Sequence, residues 1–145
     1  MTIDPHRSLI ERWFHELFTV PDSAILGQLV TDDFVTRDPS GKIGAANPAA
    51  FLAWLQWYRS SFTDATWQIL DLLSVDDKVV VRYAGQTTYR GGLFQIPAND
   101  QRVTEMGILI FQLRDSRICT LWSALSDLEL VLEMGAIPTI PASAG

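Results

Sequence analysis

The sequence has few of the residues that most often mark a reactive or metal-binding site. Its 145 residues include one cysteine and two histidines. Cys119 cannot form an internal disulfide, and it lies in an apolar strand pattern where a buried inert thiol is expected. His6 and His15 belong to the first predicted helix, and we expect both to face solvent. No zinc-ligand spacing, glycine-rich phosphate loop or nucleophile-elbow motif occurs.

Clustered positive charge and long apolar runs are also missing. The formal net charge is −6, and no run of Lys or Arg exceeds two residues. Neutralising a phosphate backbone requires clustered cations, so a nucleic-acid partner is not expected. No apolar run approaches the roughly 20 residues that span a bilayer, so no membrane partner is expected either. Residues 1–12 lack the apolar core of a signal peptide, and we therefore predict a cytoplasmic protein.

Aromatic side chains, in contrast, are plentiful. The chain has five tryptophans and seven phenylalanines, with 48% hydrophobic and 19% charged residues overall. This composition is typical of a globular protein, and the length suits one domain over residues 1–145, with 136–145 as a loose tail. Aromatic side chains bury large areas and shape ligand pockets, so their excess favours a cavity.

Helical periodicity is concentrated in the first part of the chain. Apolar residues from Leu9 to Phe18 predict a helix over residues 5–19, and a second short helix runs to about Val30. Residues 31–33 should break it, followed by a short strand at 34–36 and a turn at 37–41. Asn47-Pro48 is a good helix opening. The third helix then buries a stripe formed by Phe51, Trp54, Leu55, Tyr58 and Phe62.

From residue 65 the pattern changes to strands, predicted near 65–73, 78–89, 102–113 and 117–125. Residues 76–77 and 115–116 are tight turns, 91–100 is a longer loop, and 128–134 is a short helix or coil. Helices followed by a strand meander indicate an α+β fold. Such a long sheet must curve, so its concave side should enclose a pocket. If its other face is apolar, a homodimer is the expected solution.

The motifs resemble those of the SnoaL-like polyketide cyclases, or ester cyclases, of the nuclear-transport-factor-like superfamily. Residues 33–39 (DFVTRDP) are similar to the family's D-F-V-x-H-D-P. Residues 88–91 (TYRG) followed by Ile96-Pro97 resemble G-T-H-x-G…G-I-P. Residues 107–111, 115–118, Trp122 and Gly135 resemble G-I-x-I-F…D-G-K-I…W…L-G. The resemblance implies a cone-shaped α+β barrel with three N-terminal helices on a strongly curved antiparallel or mixed sheet. It also implies carbon-acid cyclisation without a metal or organic cofactor.

The chain departs from this family where proton transfer is concerned. The resemblance places the family's acid–base aspartate at Ser123, and a further aspartate at Ser126, with Asp127 adjacent. A serine hydroxyl is too weakly acidic to replace a carboxylate base, so the usual set is not carried over. The family's other polar positions correspond to Gly107, Leu109, Tyr89 and Arg37.

Strand alternation supplies other candidates. If the family's pocket face is kept, Glu105 and Leu109 point inward on one strand, and Ser123 does so on the next, with Asp127 following in the series. Two nearby carboxyl groups push their pKa values apart, which suits acid–base catalysis. In the alternative, Glu105 and Asp127 both sit at an exposed rim.

Two further candidates also have structural alternatives. Asp38 is either a general base near the pocket or a turn residue that binds its own backbone. Arg82 is either a core-facing cation paired with Glu105 or Asp38, or an outward residue at a dimer face. Tyr89 is either a hydrogen-bond donor to an enolate oxygen or a packing residue. Trp54, Tyr58 and Trp122 either line the cavity or belong to the core.

Three functions are compatible with these residues. The first is a cofactor-free cyclase or isomerase acting on a hydrophobic polyketide-like substrate in secondary metabolism. The second is an epoxide hydrolase or epoxide-opening cyclase, which would bring Asp38 and Arg82 into one cavity. The third is a non-catalytic binding or dimerising accessory protein, whose pocket would have no ionisable side chain in its depth.

Overall fold

The computed structural model describes residues 4–136, and its first part is helical. Helix α1 (Arg7–Arg12) runs directly into a π-helical turn, Trp13–Leu17, and α2 (Ser23–Leu29) follows. The Asp22 side chain caps α2 by accepting hydrogen bonds from the backbone N–H groups of Ala24 and Ile25. The predicted helix over 5–19 is thus confirmed, with a π-helical second half. Of the predicted tail, residues 137–145 lie outside the described residues.

Helix α3 (Pro48–Ser61) begins where the sequence predicts it. The Asn47 side chain accepts a hydrogen bond of 2.8 Å from the backbone N–H of Ala50, and Pro48 occupies the first turn. Phe51 and Leu55 are buried, and Trp54 is 43% exposed. Phe62 lies beyond the helix, because it is the first residue of the next strand.

Five strands form one mixed sheet in the order β1-β5-β4-β3-β2. Strands β2 to β5 are antiparallel neighbours, and β1 joins β5 in parallel. They are β1 (Val30–Arg37), β2 (Phe62–Val75), β3 (Lys78–Tyr89), β4 (Arg102–Arg114) and β5 (Arg117–Leu125), and helix α4 (Asp127–Met134) follows.

Strand β1 starts earlier than predicted. The polar residues 31–33 were expected to form a break, yet they belong to the strand at an irregularity in its pairing with β5. Asp33 accepts a hydrogen bond from the Thr31 hydroxyl and forms an ion pair with Arg114. Tertiary partners therefore hold a segment whose composition alone favours a turn.

The predicted tight turns are confirmed. Asp76 has φ 53°, and Asp115 and Ser116 have φ 52° and 64°. Two successive residues in the left-handed region match the right-handed twist of the flanking strands. The turn at 115–116 sets the first pairs, Arg114 with Arg117 and Leu113 with Ile118. An irregularity between Gln112 and Leu113 then shifts the register by one residue, so that Leu109 pairs with Ser123 and Phe111 with Leu121.

The main core lies between helices α1–α3 and the concave face of the sheet. Along β3, Val79, Val81 and Tyr83 are buried, while Arg82 between the last two is exposed, as is Lys78 at the start of the strand. Each such apolar side chain contributes about 1.5–3 kcal/mol when it is fully buried. A second cluster closes the sheet beside α4 and consists of Phe62, Tyr89, Val103, Leu130 and Met134. Within residues 4–136, no helix combines the length and apolar character needed to cross a bilayer.

The outer face of the sheet is largely apolar and uncovered in the single chain. Leu73 is 66% exposed, Val75 71% and Ile108 46%. Ile108 and Trp122 line a shallow groove of about 250 Å³, and the Lys78 ammonium lies 5.7 Å from the centre of the Trp122 ring. Contiguous apolar surface of this kind marks an interaction site.

We propose that a second copy of the chain covers this face. The face carries charges of both signs, Asp71 with Arg82 and Lys78, which suits a patch that must be complementary to itself about a two-fold axis. Ile108→Arg should convert a dimer into a monomer, because it would bury an unpaired charge. Light scattering coupled to gel filtration measures the change. Val20→Arg is the control, since Val20 is 67% exposed but lies between α1 and α2; a monomeric wild-type protein would contradict the proposal.

Candidate functional site

The concave side of the sheet holds a funnel with a wide mouth and a narrow inner cavity. The mouth has a volume of about 720 Å³ and is bordered by residues 36–39, α3 and the end of β5. The inner cavity measures about 50 Å³ and extends towards β3 and β4. Five residues line both spaces and so connect them: Phe51, Trp54, Ser123, Leu125 and Asp127.

A buried ion pair forms part of the wall of the inner cavity. Arg59 Nη1 lies 2.8 Å from Glu105 Oε2, and Nη2 lies 3.3 Å from Oε1. The two residues are 7% and 8% exposed. The guanidinium carbon also lies 5.6 Å from the Tyr58 ring centre and 5.1 Å from that of Trp67. Contacts on its edge and faces therefore hold the arginine in one orientation.

This ion pair is costly for the fold. A buried pair often stabilises a protein less than apolar residues of the same volume would. Arg59 Nε also has no hydrogen-bond partner among the described residues, and an unsatisfied buried donor costs about 1–3 kcal/mol. Charged groups kept inside a cavity at such a cost are typical of functional sites.

Two tyrosines bring phenol groups to the same cavity, Tyr58 from α3 and Tyr83 from β3. Burial raises the pKa of both phenols far above its usual value, and the nearby Glu105 carboxylate raises it further. Neither hydroxyl makes a hydrogen bond to another described residue. Both phenols thus remain protonated and free to donate to a guest.

Asp127 contributes a carboxyl group where the mouth meets the inner cavity. Strand β5 ends at Leu125, and Asp127 is the first residue of α4. Burial raises the pKa of this carboxyl, since desolvation disfavours its charged form. A carboxyl with a raised pKa beside protonated phenols is a better proton acceptor than an ordinary aspartate and can exchange protons with a bound substrate.

Most of the predicted inward residues do line the inner cavity. The structure places Glu105, Leu109 and Ser123 there through the predicted alternation of β4 and β5. Trp54 and Tyr58 reach it from α3. The alternative that Glu105 lies at an exposed rim is wrong. Asp127 also lines the cavity, from a helix rather than from the continued strand, but its side chain is exposed, so the rim alternative holds for this residue.

Three predicted site residues lie elsewhere. Arg82 is on the outer face, where its Nε lies 2.6 Å from Asp71 Oδ2. The alternative that it faces outward is therefore confirmed, and its pairing with Glu105 or Asp38 is wrong. Trp122 also faces outward, because alternation along β5 turns Leu121 and Ser123 inward.

Tyr89 is fully buried in the second cluster. Its hydroxyl donates to the Ile96 carbonyl oxygen at 2.7 Å and accepts from the Leu93 backbone N–H at 3.1 Å, and so holds the 91–100 loop.

Asp38 is a turn residue that binds the neighbouring backbone, which was the structural alternative to a general base. Its Oδ1 accepts hydrogen bonds from the Ser40 hydroxyl at 2.5 Å and from the Lys42 backbone N–H at 3.0 Å. The Ser40 hydrogen bond, the largest cause, lowers the pKa of this carboxyl. Asp38 borders the mouth as an exposed, ionised group, and it does not meet Arg82 inside a cavity.

Arg59 and Tyr83 were missed, although the sequence contains a signal for each. Arg59 lies four residues after Leu55 and so occupies the same helix face. Tyr83 continues the buried alternation of Val79 and Val81. Gly107 offers no space for the family's polar side chain, because a Cβ there would lie 2.5 Å from the Ala124 carbonyl oxygen. Within residues 4–136, no group of three or more His, Cys, Asp or Glu side chains could hold a metal ion.

The chain matches the SnoaL-like domain model over residues 10–121. IdmH from Streptomyces antibioticus, a proposed polyketide cyclase, shares 19% identity at a TM-score of 0.78, covering 92% of this chain and 100% of its own. A proposed polyketide cyclase from Bacillus cereus shares 24% identity at 0.74, covering 95% and 91%. AclR from Streptomyces galilaeus, a proposed hydroxylase, shares 15% identity at 0.79, covering 94% and 88%. No protein with a curated description matches the sequence.

Glu105→Ala should destabilise the protein by about 3–5 kcal/mol, because it leaves the Arg59 charge buried without a partner. The matched control is Asp71→Ala on the outer face. Its ion pair with Arg82, at 2.6 Å, is slightly shorter than the inner pair at 2.8 Å but about half exposed, and such pairs contribute about 0–1 kcal/mol. Urea unfolding measures both free energies. Equal losses for the two variants would show that the inner pair is not desolvated.

Proposed function

The chain belongs to the SnoaL-like domain family, and on that premise we propose that it is a cofactor-free cyclase or isomerase. Its substrate is a hydrophobic, polyketide-like carbonyl compound of secondary metabolism, handled in the cytoplasm. One observation carries this proposal. Asp127, whose carboxyl has a raised pKa, shares a cavity with the protonated phenols of Tyr58 and Tyr83. The cyclase descriptions of IdmH and the Bacillus cereus protein support the same assignment.

In the proposed reaction, ionised Asp127 removes a proton from the carbon next to a substrate carbonyl. The electron pair of the broken C–H bond forms the C=C bond of an enolate, and negative charge develops on the carbonyl oxygen. Tyr58 and Tyr83 donate hydrogen bonds to that oxygen, which stabilises the charge in a cavity of low polarity. In a cyclisation the enolate carbon attacks a second carbonyl carbon, whose C=O π electrons move to its oxygen, and the resulting alkoxide takes up the proton. In an isomerisation the substrate is an unsaturated carbonyl compound, and the conjugated dienolate takes the proton back at its γ carbon. Asp127 returns the proton in either case.

The remaining groups position these three residues. Arg59 packs on the Tyr58 ring and pairs with Glu105, so it restricts the orientation of the phenol without adding net charge. Phe51 and Trp54 form apolar walls where the mouth narrows. Such walls hold a flexible substrate in a reactive conformation, which by itself lowers the entropic barrier to ring closure.

Epoxide opening is a second candidate, favoured by one specific observation. The expected pair of Asp38 and Arg82 does not form, but Asp127, Arg59 and Glu105 place two carboxyl groups and an arginine around the inner cavity. An epoxide hydrolase would add water, so styrene oxide in H₂¹⁸O would yield a diol with one ¹⁸O atom. The non-catalytic alternative is disfavoured, because it requires a pocket without ionisable groups in its depth.

Asp127→Asn should reduce carbon-acid deprotonation by about 10²–10⁴-fold, the usual contribution of a general base. The measurement is deuterium exchange at the methyl group of 2-acetylnaphthalene in D₂O, followed by NMR. Glu129→Gln is the matched control, since it removes an exposed carboxylate from the same helix. Exchange at the wild-type rate in Asp127→Asn would exclude Asp127 as the base.

The pH dependence of this exchange provides a further test. Because the base acts when ionised, the exchange rate should fall as the pH drops through the raised pKa of Asp127. The raised phenol pKa values predict no matching loss at mildly alkaline pH. Asp127 stabilises the fold while protonated, and that stabilisation is lost as the pH rises through its folded-state pKa. Asp127→Asn should therefore fold at least as stably as the wild type at neutral pH, and thermal unfolding verifies it.

A further inference from the structure

The two parts of the funnel differ greatly in what they can hold. The mouth, at about 720 Å³, lies within the range of cavities that bind drug-sized molecules. The inner cavity, at about 50 Å³, is only a few times larger than the roughly 10–15 Å³ that one water requires. A fused-ring body therefore stays in the mouth, and only a small substituent enters the inner cavity.

The charges around the inner cavity disfavour an anion. The positive charge of Arg59 is already matched by Glu105 at 2.8 Å. Asp127 adds a further carboxyl group at the entrance. A carboxylate entering this space would lose its hydration without gaining an unmatched cation, which costs free energy.

The hydrogen-bond donors of the same cavity favour a neutral acceptor. The hydroxyls of Tyr58 and Tyr83 have no protein partner among the described residues, and neither oxygen is among the fully buried unpaired atoms, so both are accessible to a molecule in the cavity. A ketone oxygen has two lone pairs and can accept from both. A purely hydrocarbon substituent would leave both donors unsatisfied.

We propose that the inner cavity is a specificity site that accepts one neutral carbonyl oxygen, carried on an aromatic or polycyclic body in the mouth, and rejects carboxylates. This inference rests on the proposed function, because it names the substrate class of the same site. Glu105 is then the residue that determines the charge preference, since its carboxylate cancels Arg59. Tyr58 and Tyr83 are the residues that recognise the oxygen.

Three probes with one ring system test the proposal: 2-acetylnaphthalene, its hydrocarbon isostere 2-isopropenylnaphthalene, and 2-naphthoate. Isothermal titration calorimetry at pH 8 measures their affinities for the full chain. The acetyl compound should bind at least tenfold more tightly than either of the others. Equal affinity for the isopropenyl compound, or equal or tighter binding of naphthoate, would overturn the proposal.

Variants assign the preference to residues. Tyr58→Phe with Tyr83→Phe should abolish the advantage of the acetyl compound without weakening the binding of the isopropenyl compound, which no longer leaves two donors unsatisfied. Glu105→Gln frees the Arg59 charge and should raise naphthoate affinity at least tenfold. Arg82→Gln removes a cation from the outer face and should change none of the affinities. An acetyl advantage that persists in the double phenylalanine variant, or no gain for naphthoate in folded Glu105→Gln, would contradict the assignment.

If Glu105→Gln fails to fold, Arg59→Met with Glu105→Leu removes both charges together. That variant should still prefer the acetyl compound to naphthoate, and loss of the preference would overturn the proposal. Binding is measured without turnover, so the inference and the proposed function can fail separately. Selective binding without deuterium exchange refutes only the proposed function, whereas exchange without selective binding refutes only the specificity site.

Discussion

The ion pair between Arg59 and Glu105 is the constraint on which the functional interior depends. It joins the last turn of α3 to the first part of β4, and both residues are less than a tenth exposed. Neither charge could remain there alone, because an unpaired buried charge costs several kcal/mol. The pair therefore fixes where helix and sheet meet, and it keeps the space between them polar but electrically balanced.

The buried ion pair affects the ionisation of the side chains that line the same cavity. Burial and the Glu105 carboxylate keep the phenols of Tyr58 and Tyr83 protonated, and burial raises the pKa of Asp127 at the entrance. Hydrogen-bond donors and a proton acceptor thus face the same small space. The wide mouth supplies apolar contact area, while the narrow interior supplies the polar discrimination, so binding and chemistry are divided between two connected spaces.

Much of this arrangement could be predicted, and the failures have definite causes. Alternation along β4 placed Glu105 and Leu109 inward, and the Asn47-Pro48 opening located α3. The predictions for Arg82 and Trp122 failed for a common reason. Each lies between two inward-facing neighbours of its strand, so strand alternation turns it outward. The predictions gave the chemical character of the side chain more weight than this alternation.

The sequence by itself determined the α+β class, the strand meander, the turn positions and the helix caps, because these follow from local periodicity and backbone preferences. It also determined the family, through motifs spread along the chain. Only the tertiary structure decided that Arg59 is the partner of Glu105, 46 residues away, and that Tyr83 and Asp127 join them. Pairing across such distances depends on how a helix packs over a curved sheet, and no local pattern encodes that geometry.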